Sequence, residues 1–405
     1  MTEKKIKIGI IQEGKIPIDK RTPLTPQNCV ELMEKYKNLQ IVVQPSKIRI
    51  FLDEEYKALK IPIQNDLSDC DYIFGIKEIP KSEIIENKTY LFFSHTIKKQ
   101  PENKTLLQTL ANKKCTLIDY ECVKDEKGNR LISFGYFAGI IGAYNTIKSY
   151  GHRYRLFELK PAHLCFDYSE LRSQFKKIKL KPIKIVLTGG GRVAKGAVEV
   201  LSQMRIKEVN KYDFENKDFT YPVFTTAHSE YIYRKKGKQF FDKKEFYKKP
   251  ELYESFFKQY YSKADVFIAC AYWNPLATPL FKKEDMRKSD FKIKIIGDIT
   301  CDLNGSIPST IRTTSIDNPV YDYNPFNEEL EVPYSSEKNI SVISIDNLPC
   351  ELARTASEDF GKQLINELFP KLMSDNNDSI IEKSKILVDG ILSENFEYLR
   401  EYLER

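Results

Sequence analysis

The stretch KIVLTGGGRVAKGAVEVL, Lys184 to Leu201, decides the fold class. Lys184–Thr188 is a short apolar run of buried-strand type, and Gly189-Gly190-Gly191-Arg192-Val193-Ala194 follows at once. Lys195 onward then opens a helix. This is G-x-G-x-x-A set between strand and helix, the arrangement that binds dinucleotides. Gly189 permits the tight turn, Gly191 lets the main chain approach a pyrophosphate, and Ala194 lets helix and strand pack closely. The helix N-terminus supplies unpaired N–H groups and a positive dipole end. The stretch therefore predicts an α/β nucleotide unit, with Gly189, Gly190, Gly191, Arg192, Val193 and Ala194 at the phosphates.

Downstream, Asp265–Cys270 and Lys294–Asp298 read as further buried strands. In open α/β sheets the ligand crevice lies beyond the carboxyl ends of the strands. Cys270, Asp298 and Asp302 are thus expected at the cofactor, as are Asn347 and Leu348 in the turn after the strand Ser341–Ile345. Asp213 lies 22 positions after Gly191, the spacing of the carboxylate that binds the adenosine ribose of NAD. The segment before it is a poor strand, and Lys211 offers the cation that NADP requires. NAD is the expected cofactor, with NADP possible. Residues 216–262, dense in Tyr, Phe and Lys, read as an insertion whose aromatics build core or interface. Glu351 begins a long helical pattern to Leu372, and Ile380–Arg405 reads as an amphipathic helix.

Upstream, the runs IKIGII, QIVVQP, DYIFGIK, TYLFFSH, CTLIDYE and RLISFG alternate with the helical patterns Pro26–Tyr36 and Glu102–Ala111. Such alternation predicts a mostly parallel sheet covered on both sides. Three of these strands end alike: one runs into Lys77 and Glu78, the next into His95, the third into Glu121. A lysine, a histidine and two glutamates on one sheet edge point to a site. Gly135–Tyr150, apolar and rich in small residues, reads as a buried helix joining the two α/β blocks. His152 and His163 beyond it are assigned structural or surface roles.

The whole chain has 405 residues, 41% hydrophobic and 12% aromatic, enough to fill two cores and too apolar for disorder. Its longest apolar runs, such as Phe137–Tyr144, are far below the roughly 18–20 residues of a membrane span. MTEKKIKIGII lacks the apolar region of a signal peptide, so a soluble, cytoplasmic protein is expected. The net charge of +7 comes from 64 basic and 57 acidic residues. This is a mild excess that gives no uniform basic face for nucleic acid. The eight cysteines are scattered without a C-x-x-C pair, which fits a reducing compartment and no metal site.

Longer motifs make the reading specific. Glu13…Arg21-Thr-Pro-Leu-Thr-Pro26, Gly75-Ile-Lys77-Glu78, Phe93-Ser-His95-Thr, Asp119-Tyr-Glu121 and Phe134-Gly135 resemble the alanine dehydrogenase superfamily. TYLFFSHTIKKQ, CAYWNPLATPLF, GDITCDLNGSI and SVISIDNLPCELARTASEDFG resemble the lysine-forming saccharopine dehydrogenases, or lysine-2-oxoglutarate reductases, within it. The resemblance runs from about residue 6 to 372. It implies an α/β fold of two Rossmann-like domains with mostly parallel sheets around a central cleft. Residues 1–134 plus 343–405 would form the substrate domain and 135–342 the dinucleotide domain.

The resemblance also implies a reaction, the interconversion of saccharopine with L-lysine and 2-oxoglutarate by hydride transfer to or from a nicotinamide. By matching motifs, Lys77 and His95 would be the acid–base pair. Arg21 and Arg130 would hold substrate carboxylates, with Glu78, Lys98 and Glu121 tuning or positioning. The chemistry suits these residue types. Passing through an imine and a carbinolamine takes repeated proton transfers near neutrality, and the three carboxylates of saccharopine call for forked cations. An alanine or other amino-acid dehydrogenase, or a non-catalytic nucleotide-sensing relative, is the alternative. The partners expected are small molecules, with no nucleic acid and no membrane, and monomer or homo-oligomer left open.

Overall fold

A computed structural model of the chain describes residues 5–14, 16–238, 240–374 and 378–404; the Met1–Lys4 part of the N-terminal reading lies outside them. The chain forms two compact units, Met1–Phe134 with Ala353–Arg405, and Gly135–Leu352.

In the first unit, the apolar runs of the opening third become β1 (Ile6–Ile10), β2 (Leu39–Val43), β3 (Tyr72–Phe74), β4 (Thr89–Phe92) and β5 (Thr116–Asp119). They pair in parallel in the order β5-β4-β3-β1-β2. Helix α1 (Pro26–Lys35) starts at Pro26 because Thr25 Oγ1 accepts the Asn28 N–H at 3.2 Å, an N-cap with proline at the first position. Helix α2 spans Pro101–Asn112. Leu32 and Phe74 lie in one apolar cluster, Leu107, Phe92 and Tyr90 in another. RLISFG forms no strand; its Ile132 is buried in the first cluster without one.

The second unit opens with α3 (Gly135–Arg153) and continues through β6 (Lys184–Thr188), α4 (Arg192–Gln203), β7 (Lys207–Glu208) and β8 (Val223–Ala227). A hairpin follows, β9 (Tyr233–Lys235) and β10 (Tyr253–Ser255), and then β11 (Val266–Ala269), β12 (Ile295–Asp298), β13 (Tyr321–Asn324), β14 (Glu329–Glu331) and β15 (Ile340–Ile343). The sheet runs β14-β13-β15-β12-β11-β6-β8-β7, parallel except at β13 and β14. Helices α3 and α4 touch main chain to main chain. A Cβ on Gly139 would lie 1.9 Å from the Val193 carbonyl oxygen, and one on Gly196 would lie 2.0 Å from that of Tyr136.

The chain returns to the first unit through α5 (Ala353–Gln363) and the helical turns that follow to Leu372. Its last strands, β16 (Lys385–Val388) and β17 (Ile391–Leu392), extend the first sheet antiparallel beyond β5.

Three sequence expectations change here. Residues 343–352, assigned above to the first unit, pack in the second, where β15 ends and Leu348 meets α3 at Gly142. The segment 216–262 is more than an insertion, because it contains β8, the direct neighbour of β6. Its aromatics do form core: Tyr253, Phe257, Tyr260 and Tyr261 are buried together. Ile380–Arg405 is not one helix. Lys385-Ile-Leu-Val388 favours a strand, and Asp389-Gly390, both at positive φ, makes the tight turn that Asp-Gly prefers. Among the described residues, no helix is long and apolar enough to cross a membrane.

Candidate active site

Four adjacent parallel strands bring five residues to one edge of the first sheet. β1 runs toward Glu13, β3 toward Lys77 and Glu78, β4 toward His95, and β5 toward Glu121. Lys77 Nζ lies 3.5 Å from His95 Nε2. On the other side of the imidazole, Nδ1 lies 3.6 Å from Glu121 Oε2 and 3.5 Å from Lys98 Nζ. Glu121 Oε1 in turn meets Arg130 at 2.9 Å and Lys98 at 3.8 Å. Of the residues the sequence placed here, Lys77, His95, Glu121, Lys98 and Arg130 form one connected cluster, and Glu78 follows Lys77 half-buried.

Two buried carboxyls on this edge are pushed in opposite directions. For Glu121, burial acts to raise the pKa, but the His95 hydrogen bond and the charges of Arg130 and Lys98 outweigh it and hold the group at about 2. Glu13 is buried too, and burial followed by the negative charge of Asp19 pushes it up to about 8 against smaller opposing effects. Its Oε1 accepts the Ile76 N–H at 2.6 Å and its Oε2 the Lys77 N–H at 2.9 Å. Glu13 thus clamps the main chain that carries Lys77. In the sequence its one signal is a glutamate just past the first strand.

His95 sits at φ 55°, ψ 9°, left-handed backbone that residues other than glycine seldom adopt. The residues around it fix that turn. Asp119 accepts the Ser94 N–H at 2.9 Å, the Ser94 hydroxyl at 2.5 Å and the Glu121 N–H at 2.7 Å. One buried carboxylate therefore ties the end of β4 to the end of β5, and burial holds its pKa above the ordinary range.

Arg21 departs from expectation. It is 2% exposed, and its guanidinium closes on Asp19 through Nε at 3.0 Å and a terminal nitrogen at 2.6 Å, with the Phe134 ring 4.1 Å away. Its fork is engaged within the chain, and its charge is felt by Glu13.

In the second unit the sequence motif stands as a turn between β6 and α4. Gly189 has φ +97°, and a Cβ there would lie 3.1 Å from the Ala271 Cα, so neither conformation nor space admits a side chain. Gly191 caps α4, and a Cβ on it would meet nothing within 4 Å. Open space over the first turn of a 12-residue helix is what a pyrophosphate requires, so the turn fits a dinucleotide. Arg192 is exposed, Val193 half-buried, and Ala194 buried at 2%. Cys270 comes beside the turn, its N–H on Thr188 Oγ1 at 3.3 Å.

Three expected cofactor contacts are not arranged as ligands. Asp298 is buried with both oxygens committed: Oδ1 accepts from the Thr300 N–H at 3.0 Å and hydroxyl at 2.7 Å, and Oδ2 from the Thr310 hydroxyl at 2.7 Å. It shapes the loop carrying Asp302, which is half-buried. Leu348 is 4% exposed and packs near Gly142, while Asn347 before it turns the chain at φ 63°. Asp213 is the third. It pairs with Lys217 at 2.9 Å, and the carbonyls of Phe214 and Lys217 accept from Nζ of Lys184, the first residue of β6. Asp213 therefore rides on a segment tied to the amino end of β6, whereas the glycine turn is at the carboxyl end. Its spacing misleads because β7 is only two residues long and β8 takes the place beside β6. His152 pairs with Glu158 at 2.7 Å on the surface, and His163 lies 3.9 Å from Glu351.

Residues 9–141 match the family "Alanine dehydrogenase/PNT, N-terminal domain" and residues 174–400 the family "Alanine dehydrogenase/PNT, C-terminal domain". The alpha-aminoadipic semialdehyde synthase of Arabidopsis thaliana is 31% identical over 397 residues, covering 87% of this chain. The chain spans only 37% of that relative's length. The saccharopine dehydrogenase [NAD(+), L-lysine-forming] of Candida glabrata is 28% identical, covering 87% of this chain and 88% of the relative. Among solved structures, an L-alanine dehydrogenase superposes with a TM-score of 0.64 at 15% identity, over 98% of this chain and 99% of that one.

Proposed function

The chain belongs to the alanine dehydrogenase/PNT family, and from that premise we propose that it is a nicotinamide-dependent oxidoreductase interconverting saccharopine with L-lysine and 2-oxoglutarate. The observation that carries this reading is the 3.5 Å approach of Lys77 Nζ to His95 Nε2 at the ends of neighbouring strands. Two titrating nitrogens in reach of one another suit a reaction that moves several protons in sequence.

A nicotinamide dinucleotide held at Gly189–Ala194 would supply the hydride acceptor. The chain's own residues handle the rest. Lys77 and His95 take the proton from the secondary amine, and then one from the water that adds to the resulting C=N bond. They return a proton to the lysine amine as the carbinolamine breaks. Lys98 and Glu121 hold Nδ1 of His95 between an ammonium and a carboxylate, which leaves Nε2 turned toward Lys77. Arg130 and Lys98, both exposed, present positive charge to the substrate's carboxylates. Arg21, closed on Asp19, supports Glu13 and through it the main chain at Lys77. Gly189–Ala194 hold the pyrophosphate.

The test is absorbance of the reduced nicotinamide with lysine plus 2-oxoglutarate, with each alone, with saccharopine, and with alanine or pyruvate. Consumption that requires lysine and 2-oxoglutarate together supports the proposal. Turnover of alanine without any on lysine would replace it with the alanine reading.

A further inference from the structure

Asn145, Lys148, Ser149 and His152 recur along α3 at the spacing that puts side chains on one face of a helix. That face lines a cavity of about 220 Å³ within the second unit. Pro319 and Val320, just before β13, line it too, as do Tyr334 beyond β14 and Ile343 at the end of β15. Other positions of α3 are spent on packing. Gly139 lies against Val193 at the start of α4, and Thr146 against Gly297 of β12. Lys148 comes nine residues after Gly139, about 14 Å along the helix axis. The cavity is therefore separate from the glycine turn.

Tyr334 sits at φ 62°, left-handed backbone that a bulky residue seldom adopts. The helix holds it there: its hydroxyl lies 3.0 Å from Ser149 Oγ, and its ring centroid 4.9 Å from that of His152. Strain of this kind persists where the surroundings over-determine it, and it clusters at ligand clamps. Two of the cations nearby are committed. His152 pairs with Glu158 at 2.7 Å, and Arg153 donates to Ser341 Oγ at 2.7 Å and to the Asn339 carbonyl at 3.0 Å. Lys148 is half-buried, and among the described residues no carboxylate pairs with it. An ammonium partly withdrawn from water, beside proline, valine and tyrosine side chains, suits an anion with an apolar body. The volume falls below the roughly 300 Å³ of the smallest drug-sized sites, so the ligand is small. We propose that the cavity between α3 and Tyr334 binds a small apolar monocarboxylate, its carboxylate on Lys148 and its body against Pro319, Val320 and Tyr334. A dicarboxylate such as 2-oxoglutarate would bring its second charge against that apolar wall.

Calorimetric titration of the full chain tests this without turnover. The probes are benzoate and isovalerate, each against its uncharged amide, benzamide and isovaleramide. At least one carboxylate is expected to bind saturably and about 10-fold tighter than its amide, the worth of one charge-assisted hydrogen bond. Lys148→Met should erase that preference and Lys148→Arg should keep it. Tyr334→Ala should weaken acid and amide alike, by about threefold or more. Thermal unfolding of each variant shows that it is folded, and the Lys148→Arg comparison stands if Lys148→Met is not. Saturating NADH with 2-oxoglutarate should leave the carboxylate's affinity within about twofold, as for a site remote from theirs. Failure of both carboxylates to bind, equal binding of acid and amide, or a preference that survives Lys148→Met overturns the inference. Displacement by NADH or 2-oxoglutarate overturns it too, by giving the carboxylate to the sheet edges already described.

Discussion

At the ends of β1, β3, β4 and β5 the first unit presents charged side chains locked to one another, with Glu121 touching His95, Lys98 and Arg130. At the ends of β6, β11 and β12 the second unit presents main chain, a glycine turn beside Cys270, with the buried aspartate that ends β12, Asp298, turned inward. The first edge can exchange protons and hold anions by charge. The second can only cradle, and whatever discriminates there must come from a residue arriving on a neighbouring strand. On the proposed function the same sheet geometry serves chemistry in one unit and recognition in the other, and changes at the two edges should fail differently.

The largest expected effect is at the first edge. Lys77→Met and His95→Gln should each lower kcat by about 10²- to 10⁴-fold, while dinucleotide binding to the glycine turn stays within about twofold, the range of a change remote from the site. The double variant should be little worse than either single one, as for groups acting as a unit. Steady-state kinetics beside calorimetric binding reads both, and near-normal kcat in the two single variants would remove the pair from the reaction.

The converse belongs to the second edge. Gly189→Val would force a β-branched residue into left-handed backbone against Ala271, at a cost of about 1–3 kcal/mol. Dinucleotide affinity should fall steeply, and thermal unfolding should show the loss.

Glu121→Gln sharpens the comparison through pH. The folded pKa of Glu121 is about 2, below the ordinary 4.5 of a glutamate. Its ionic contribution to stability is therefore fully present above pH 4.5 and lost as pH falls toward 2. The variant should be less stable than the unaltered chain by about 1–3 kcal/mol near neutrality, and the gap should close on acidification. Denaturant unfolding at several pH values measures it, and a gap that widened in acid would contradict the assigned ion pairs. The smallest effect is at Asp213. Asp213→Asn should change the preference between NADH and NADPH by less than about threefold, because the residue is tied to the wrong end of β6.

The contrast also governs what could be read from residues alone. Lys77, His95 and Glu121 were legible because each follows a short apolar run, and neighbouring parallel strands bring such positions to one edge. Gly189–Ala194 were legible because a turn made of main chain dictates its own residue types. Arg21 was legible as a site-type residue but not as buried, since its partner Asp19 lies two positions away in a loop without periodicity. Asp213 misled because spacing along a chain does not report strand order: nothing in Ile206–Asp213 announces that β7 stops after two residues. The strand Val223–Ala227 was hidden for the same reason, in a segment whose lysines and tyrosines mask it. At the C-terminus, helical spacing of apolar residues lost to the Asp389-Gly390 turn.

The return of the chain into its first sheet bears on how the protein is made. β5 is completed by β16, and Thr116 meets Asp389 across 273 positions of sequence. The unit Gly135–Leu352 is one uninterrupted stretch and can close on contacts within itself as soon as it leaves the ribosome. The first unit begins earlier yet waits for α5, β16 and β17. Order of synthesis and order of completion are therefore reversed, and the edge of β5, with its unpaired main chain, is the surface exposed longest to wrong partners.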